Sequence, residues 1–111
     1  MKGIGIDLAK ISRFKRVKKA DFNKWCRIFS EAEWVYGFKD AHTAEHLAGI
    51  FASKEAAMKA NKKAGVAHFR DWEIKHTSDG TPELFYKGEK LNNYLSISHD
   101  AGTAIAVVVI I

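Results

Sequence analysis

Glu55 and Lys59 stand one helical turn apart in residues 51–60, which read Phe-Ala-Ser-Lys-Glu-Ala-Ala-Met-Lys-Ala. In a helix Glu55 shares a face with small apolar side chains, where a carboxylate is costly unless a cation satisfies it. Lys59 or a bound metal ion could be that cation. The alternative is a Glu–Lys pair on a solvated face, which contributes about 0.2–0.5 kcal/mol. The segment alone leaves both interpretations open.

Two further side chains are placed where chemistry is often carried out. Residues 3–8 alternate as a short strand, and Asp7 falls at its end, where functional sites are often built. His99 follows another alternating segment, residues 94–98, and precedes the Asp-Ala-Gly turn at 100–102. On its own residues, His99 is best interpreted as a hydrogen-bonded turn histidine.

Basic residues are concentrated in one short stretch of a chain whose net charge is +5. A solvated helix face explains such a cluster, and the alternatives are nucleic acid, an acidic protein surface or phosphate groups. No RNA- or DNA-binding motif accompanies the cluster, so we do not expect nucleic acid to be the partner. The cluster comprises Lys10, Arg13, Lys15, Arg16, Lys18 and Lys19.

The composition predicts a globular protein with one domain over residues 1–111, in which 47% of the residues are apolar. No apolar run is long enough for a membrane span, and Asp7 interrupts what would be the apolar region of a signal peptide. The single Cys26 excludes an internal disulfide and fits a reducing compartment. We therefore expect a cytoplasmic location and no membrane partner.

The helical patterns fill the first half of the chain. Residues 10–19 predict a short basic helix with an apolar inner stripe, and a second short helix follows through residues 22–28. Ser30 and Glu33 form a capping box, which begins a helix that Gly37 ends. Thr43 offers the next N-cap, for the longest helix, over residues 44 to about 63. Gly49 is expected to mark a close backbone contact there.

The second half of the chain changes to a period of two, which predicts strands at 69–76, 82–86, 94–98 and 103–111. The last strand is apolar on both faces and must be covered on both, by helices on one and by a neighbouring subunit on the other. The predicted fold class is therefore α+β: an N-terminal strand, a helical block dominated by one long helix, and an antiparallel meander.

Three segments, taken in order, resemble the holo-acyl-carrier-protein synthases, the small class of 4′-phosphopantetheinyl transferases. They are Gly3-Ile4-Gly5-Ile6-Asp7-Leu8 with Arg13 following, Phe51-Ala52-Ser53-Lys54-Glu55-Ala56 with Lys59, and Leu95-Ser96-Ile97-Ser98-His99. The resemblance covers essentially the whole chain and implies the fold of that family.

The resemblance also implies a reaction: transfer of the phosphopantetheine arm of coenzyme A to a serine of an acyl carrier protein, with release of 3′,5′-ADP. By match to the motifs, Asp7 and Glu55 hold Mg²⁺, which prefers carboxylate and phosphate oxygens. Glu55, or a metal-bound water near it, takes the serine proton. Lys59 stabilises the phosphate oxygens, and Lys54 is a further contact to coenzyme A.

The same resemblance implies a homotrimer with sites at the subunit interfaces. Ser98 and His99 then contact coenzyme A from a neighbouring subunit, which also accounts for the terminal strand that is apolar on both faces. Arg13 and Arg16 match the docking surface for the acidic helix of acyl carrier protein, and attraction of that kind fades with salt.

The chain departs from the family pattern at two places. Ile50 stands where the family usually has arginine, and Asn61-Lys62-Lys63-Ala64-Gly65 replaces a Leu-Gly-Thr-Gly turn. Lys62 and Lys63 could contact phosphates there as point charges. An alternative follows from these departures: a trimeric family-like protein that has lost catalysis and acts as a binding or regulatory module.

Overall fold

The computed structural model describes residues 2–62 and 68–111, which form six strands and three α-helices. The strands are β1 (Gly3–Lys10), β2 (Trp72–His76), β3 (Pro82–Tyr86), β4 (Glu89–Lys90), β5 (Asn93–Asp100) and β6 (Thr103–Ile110). The helices are α1 (Phe22–Trp25), α2 (Glu31–Gly37) and α3 (Thr43–Ala60). The predicted α+β class and the order of strand, helices and antiparallel strands are confirmed.

The strands form two antiparallel sheets, one with the order β1-β6-β5 and one with the order β2-β3-β4. Helix α3 packs on one face of the first sheet, where Ala104, Ala106 and Val108 of β6 are buried. Alternate residues of a strand point to opposite faces, so Ile105, Val107 and Val109 of β6 lie on the other face. The sheet face opposite α3 is therefore apolar as well.

That second face is largely open to solvent. In β1, the exposed fractions of Ile4, Ile6 and Leu8 are 58%, 55% and 63%. Tyr94 of β5 is also exposed. Exposed large apolar side chains at alternate positions of one strand form a continuous patch rather than scattered contacts. We call this surface, with Ile4, Ile6, Leu8, Tyr94, Ile105, Val107 and Val109, the open sheet face.

The predicted basic helix at 10–19 is wrong. Strand β1 continues to Lys10, and the Ile11 N–H donates to the Gly102 carbonyl at 2.9 Å, so the chain leaves the sheet as a 3-10 turn over Ile11–Phe14. Sheet pairing therefore overrides the local helical pattern. Phe14, an apolar residue of this segment, is buried and packs edge-on against Phe29. The second short helix is also shorter than expected, since α1 ends at Trp25.

The capping box at the start of α2 is confirmed, because the Ser30 N–H donates to Glu33 Oε1 and the Glu33 N–H donates to Ser30 Oγ, at 2.8 and 3.2 Å. Thr43, however, is the first residue of α3 and not its N-cap. The cap is His42, whose side chain makes no capping bond, while its N–H donates to Asp40 at 2.8 Å.

Helix α3 ends at Ala60, three residues before the predicted end, and Lys63 lies outside the described residues. Gly49 lies close to a side chain and not to another backbone as expected, since a Cβ there would lie 3.2 Å from Ile97 Cγ2. In the described part of the chain, no helix combines the length and apolarity that crossing a bilayer requires.

Candidate active site

Strand β1 lies directly against the backbone of α3, and this contact brings two distant acids together. A Cβ on Gly3 would lie 1.8 Å from the Ala60 carbonyl oxygen, and one on Gly5 would lie 1.9 Å from that of Ala56. Only glycine fits at such distances, because no side chain can be accommodated there. The two glycines therefore let β1 run close enough to α3 for Asp7 to reach the side chain of Glu55.

Lys59 binds Asp7, and the Glu55–Lys59 pair that the sequence allowed is not formed. Its Nζ lies 2.9 Å from Asp7 Oδ1 and 3.1 Å from the Ile6 carbonyl oxygen. The hydrogen bond to Asp7 raises the pKa of Lys59. Asp7 is mostly buried, with 11% of its side chain exposed, while the Lys59 side chain is 57% exposed. One side of the ammonium group thus remains available to a ligand.

The Asp7 and Glu55 carboxyls interact with each other, and their pKa values move apart. Burial, the hydrogen bond to Asp7 and the negative charge of Asp7 raise the pKa of Glu55 to about 7. Burial opposes the change at Asp7, but the hydrogen bonds with Glu55 and Lys59 lower its pKa. Such a bond requires a proton on one carboxyl, since two ionised carboxylates have no donor between them.

These two acids fit a divalent cation. When both are ionised, the buried Asp7 Oδ2 has no hydrogen-bond donor among the described residues. A hard cation would satisfy that oxygen and remove the repulsion that keeps a proton on Glu55. The described residues contain no cluster of three or more His, Cys, Asp or Glu side chains that could hold a metal. The protein would thus supply two carboxylates, as is usual for Mg²⁺ that also binds phosphate oxygens and waters.

Arg13 belongs to the surroundings of this pair, whereas Arg16 lies further out. The Arg13 guanidinium stacks over the Phe51 ring at 4.6 Å from the centroid, and its charge opposes the rise of the Glu55 pKa. Arg16 is exposed in the turn that follows the 3-10 turn. The basic surface therefore begins at the edge of the acidic site.

The structure does not bring Lys54 into the site. Its side chain has no exposed surface, and its Nζ lies 2.5 Å from Glu33 Oε1 and 2.6 Å from the Ile28 carbonyl oxygen. Burial lowers the pKa of Lys54 and raises that of Glu33, while the attraction between the two opposes both changes. The interpretation of Lys54 as a coenzyme A contact is therefore wrong, because its ammonium group is enclosed by protein acceptors.

Ser98 and His99 are separated from Asp7 within one chain. Asp7 pairs with Ala106 of β6, whereas His99 pairs with Ala104 on the opposite side of that strand, so β6 lies between them. His99 Nε2 lies 3.5 Å from Glu45 Oε2. Ser98 pairs with Ile105 and points to the other sheet face from His99.

His99 lines a cleft of about 480 Å³ between α3, β5 and the β2–β3 hairpin. Four of the five histidines of the chain line it, and the sequence reasoning identified only His99. His76 stacks on Tyr36 with ring centroids 3.7 Å apart, and burial lowers its pKa to about 4. His42 and His46, one helical turn apart, are the one sequence signal that could have indicated this cleft.

A second cleft, of about 690 Å³, opens where α3 ends beside the start of β1. Lys2, Lys59 and Lys62 line it together with apolar side chains. Lys62 is exposed there, and Lys63 lies outside the described residues. Three ammonium groups at the end of α3 provide positive charge next to the acidic pair.

The profile of the 4′-phosphopantetheinyl transferase superfamily matches residues 3–108 of the chain. The holo-[acyl-carrier-protein] synthase of Thermodesulfovibrio yellowstonii is 36% identical over 111 residues, which cover 99% of this chain and 98% of that protein. That of Caldicellulosiruptor bescii is 37% identical over 116 residues, covering 96% and 94%.

Solved structures agree with this assignment. The Helicobacter pylori holo-[acyl-carrier-protein] synthase in complex with coenzyme A superposes with a TM-score of 0.77 at 34% identity, over 96% of this chain and 98% of that one. The Bacillus anthracis enzyme in complex with CoA (3′,5′-ADP) gives 0.75 at 34% identity, over 98% and 95%. The chain is therefore an enzyme of the 4′-phosphopantetheinyl transferase superfamily.

Proposed function

We propose that this enzyme transfers 4′-phosphopantetheine from coenzyme A to a serine of an acyl carrier protein, with Mg²⁺, and releases 3′,5′-ADP. The observation that carries the proposal is the pair of Asp7 and Glu55. Asp7 Oδ2 is buried without a donor, and the pKa of Glu55 is raised. The family assignment and the coenzyme A complexes of two similar enzymes support the substrate. Residues 1–111 are taken as a single transferase domain.

The residues of the site fit a phosphoryl transfer of this kind. Asp7 and Glu55 would hold Mg²⁺, which supplies charge neutralisation at the diphosphate when bound. Lys59 fixes the Asp7 carboxylate and offers its exposed side to a phosphate oxygen. The serine oxygen of the carrier attacks the phosphorus that bears the pantetheine arm. The bond from that phosphorus to 3′,5′-ADP breaks, and the leaving oxygen keeps the electron pair.

The serine proton is accepted by the Glu55 carboxylate. A bound cation would lower the pKa of Glu55 from its metal-free value of about 7, so the carboxylate would be ionised and able to accept the proton, directly or through a neighbouring water. Glu55 is also only partly buried, so the serine of an incoming protein can reach it.

We propose a homotrimer in which each site is completed by a neighbouring copy. The open sheet face supports this, because continuous exposed apolar surface on a strand marks a protein interface. Ser98 and His99 would then contact coenzyme A bound at the Asp7 and Glu55 of the neighbour, while Lys59 and Lys62 contact its phosphates. Lys54 is excluded from this set by its burial.

Arg13 and Arg16 are proposed to dock the acyl carrier protein. Both are exposed basic residues, and Arg13 reaches the edge of the acidic site. An acidic partner attracted to this surface would bring its serine towards Glu55. A cytoplasmic location, where coenzyme A and a reduced Cys26 coexist, remains a prediction.

The experiment that tests the function is a mass measurement. An acyl carrier protein incubated with the enzyme, coenzyme A and Mg²⁺ should gain the mass of one phosphopantetheine group on its serine, and a serine-to-alanine carrier should gain nothing. No added mass on any of several bacterial carrier proteins would contradict the proposal. It would favour the alternative of a non-catalytic binding module, which Ile50 and the changed segment after Lys59 suggest.

A further inference from the structure

The Lys54 ammonium connects three separate segments to helix α3. It donates to the Ile28 carbonyl after α1 at 2.6 Å and to the Phe69 carbonyl before β2 at 3.2 Å, and it pairs with Glu33 of α2 at 2.5 Å. Neither the Lys54 nor the Glu33 side chain has any exposed surface. We call this arrangement of Lys54, Glu33 and the two carbonyls the Lys54 anchor.

Glu33 extends the anchor to two further backbone groups. Its Oε1 accepts the Ser30 N–H at 2.8 Å, and its Oε2 accepts the Ile74 N–H of β2 at 2.8 Å. Both partners of the ion pair are therefore fully hydrogen-bonded. A buried ion pair adds little net stability over well-packed apolar residues, so its value is better sought in the geometry that it fixes.

The anchor holds α3 at the residue directly before Glu55, on a neighbouring face of the helix. Lys54 and Glu55 are consecutive, about 100° apart around the helix axis. Strand β1 meets the backbone of α3 at its two glycines, and the polar bonds between the two elements come from the partly exposed Lys59. A small rotation of α3 would therefore change the separation of Glu55 from Asp7, which belongs to a different element.

The anchor also reaches the site by a second route, through aromatic rings. The Phe69 ring, whose carbonyl Lys54 binds, stacks on Phe51 of α3 with centroids 5.3 Å apart at 21°. Phe51 in turn carries the Arg13 guanidinium on its ring. Movement of Phe69 would therefore disturb the surface on which Arg13 rests beside Glu55.

We propose that Lys54 and Glu33 are positioning residues that fix the rotation of α3 and hold the Glu55 carboxyl in register with Asp7. This inference rests on the proposed function. It assigns Lys54 a role in catalysis without contact to coenzyme A, the metal or the carrier. The expected consequence of losing the anchor is a site that is complete in composition but displaced, which lowers kcat and weakens metal binding.

The test compares Lys54→Met, Glu33→Gln and the double variant Glu33→Gln/Lys54→Met with the wild type. Each single change leaves a buried group without its partner and should destabilise the fold. The double change removes both charges, while the amide that replaces the Glu33 carboxylate keeps one oxygen for the Ile74 N–H, so its stability should recover at least in part. Leu84→Ala, a fully buried change in β3, serves as the stability-matched control.

Two readouts are taken on protein shown to be folded at the assay temperature. The first is kcat and KM for coenzyme A and for the carrier, and the second is binding of Mn²⁺ without substrates, followed by the electron paramagnetic resonance signal of the free ion. We expect the double variant to lose about tenfold or more in kcat, because small displacements of catalytic groups are costly. KM for the carrier should stay within about twofold, and Mn²⁺ affinity should fall about tenfold. The control should keep both values.

A double variant with wild-type kcat and Mn²⁺ affinity would overturn the inference and leave the proposed function intact. So would a control that loses kcat and Mn²⁺ affinity in proportion to its lost stability, because the effect would then be one of stability alone. A wild-type enzyme that neither binds Mn²⁺ nor transfers phosphopantetheine would overturn the proposed function and this inference together.

Discussion

Gly5 lies so close to Ala56 that a Cβ on the glycine would be 1.9 Å from the Ala56 carbonyl oxygen. The obstructing atom belongs to a helix backbone, which cannot move aside as a flexible side chain can. Two positions after Gly5, Asp7 meets Glu55, so the distance between the acids depends on this backbone contact.

Gly5→Ala should therefore push β1 away from α3, with a loss of about 1–3 kcal/mol in the free energy of unfolding and loss of transfer activity. Denaturant unfolding and the carrier mass assay measure the two effects. Gly49→Ala is the matched control, because its Cβ would meet only the Ile97 side chain, at 3.2 Å, and should cost less. Full activity of Gly5→Ala would show that the glycine contact does not set the site.

Asp7→Asn and Glu55→Gln should each abolish transfer, with a fall in kcat of about a hundredfold or more, because each removes a proposed metal ligand. Neither should unfold the protein, since both substitutions remove a charge and keep the shape of the side chain. Calorimetric titration with Mg²⁺ in the presence of coenzyme A should show weakened binding in both. Normal turnover by either variant would refute the metal assignment.

The stability of the metal-free protein should depend on pH through Glu55. Its pKa is about 7 when folded and 4.5 as the ordinary value, so its contribution to stability is complete below about pH 4.5 and is lost as the pH rises through 7. The free energy of unfolding of the wild type, relative to Glu55→Gln, should thus fall by about 1 kcal/mol or more between pH 5 and pH 8, after allowance for partial exposure.

Comparison with Glu55→Gln is needed because the titration of His76 changes the free energy of unfolding with pH in the opposite direction. Its pKa is lowered to about 4, so its contribution is lost as the pH falls from its ordinary 6.5 through 4. Mg²⁺ should stabilise the wild type more at pH 8 than at pH 5.5 and should have no such effect on Glu55→Gln. A pH-independent difference between the two proteins would count against the coupled carboxyl pair.

Charge reversal at the docking surface should weaken binding of the carrier and leave binding of coenzyme A unchanged. Arg13→Glu and Arg16→Glu should each raise KM for the carrier about tenfold at low salt, and the difference from wild type should shrink as salt is added. Arg13→Glu should also lower kcat, because Arg13 stands beside Glu55. Lys75→Glu, in the other sheet, is the control for net charge. An unchanged KM for the carrier would refute this docking surface.

Substitution on the open sheet face should dissociate the assembly. Ile6→Lys, which places a charge where 55% of the side chain is now exposed, should convert a trimer to monomers without unfolding them. Light scattering after size-exclusion chromatography gives the mass. A wild-type protein that runs as a monomer at all concentrations would contradict the proposed assembly.

The proposal that each site is shared between two protomers can be tested by mixing two variants. Asp7→Asn and His99→Ala protomers, each impaired alone, should recover part of the activity when they are refolded together, because some interfaces then combine an intact Asp7 with an intact His99. Absence of any recovery would contradict the proposal that each site is shared between two protomers.

The features that the sequence predicted are those decided by neighbouring residues. The Ser30 and Glu33 capping box lies within four residues, and the turn at 100–102 is equally local. The pattern at 10–19 failed because Ile11 is bound by the distant Gly102, which no local periodicity reports. The burial of Lys54 could not be predicted from local sequence either, because its partner Glu33 lies on another helix and only packing brings the two together.

The pairing of Asp7 with Glu55 was anticipated from the resemblance to a family, and not from periodicity. What neither the pattern nor the resemblance indicated was the exchange of partners, in which Lys59 binds Asp7 and leaves Glu55 with a raised pKa. That arrangement depends on the approach of β1 to α3, which is a property of the tertiary fold.

Because main chain touches main chain where β1 crosses α3, the spacing of the two acids does not depend on the exposed side chains around the site. Side chains that face the carrier or the nucleotide can therefore change without moving the two acids. New partner preferences can evolve on this scaffold while the chemistry at its centre remains the same.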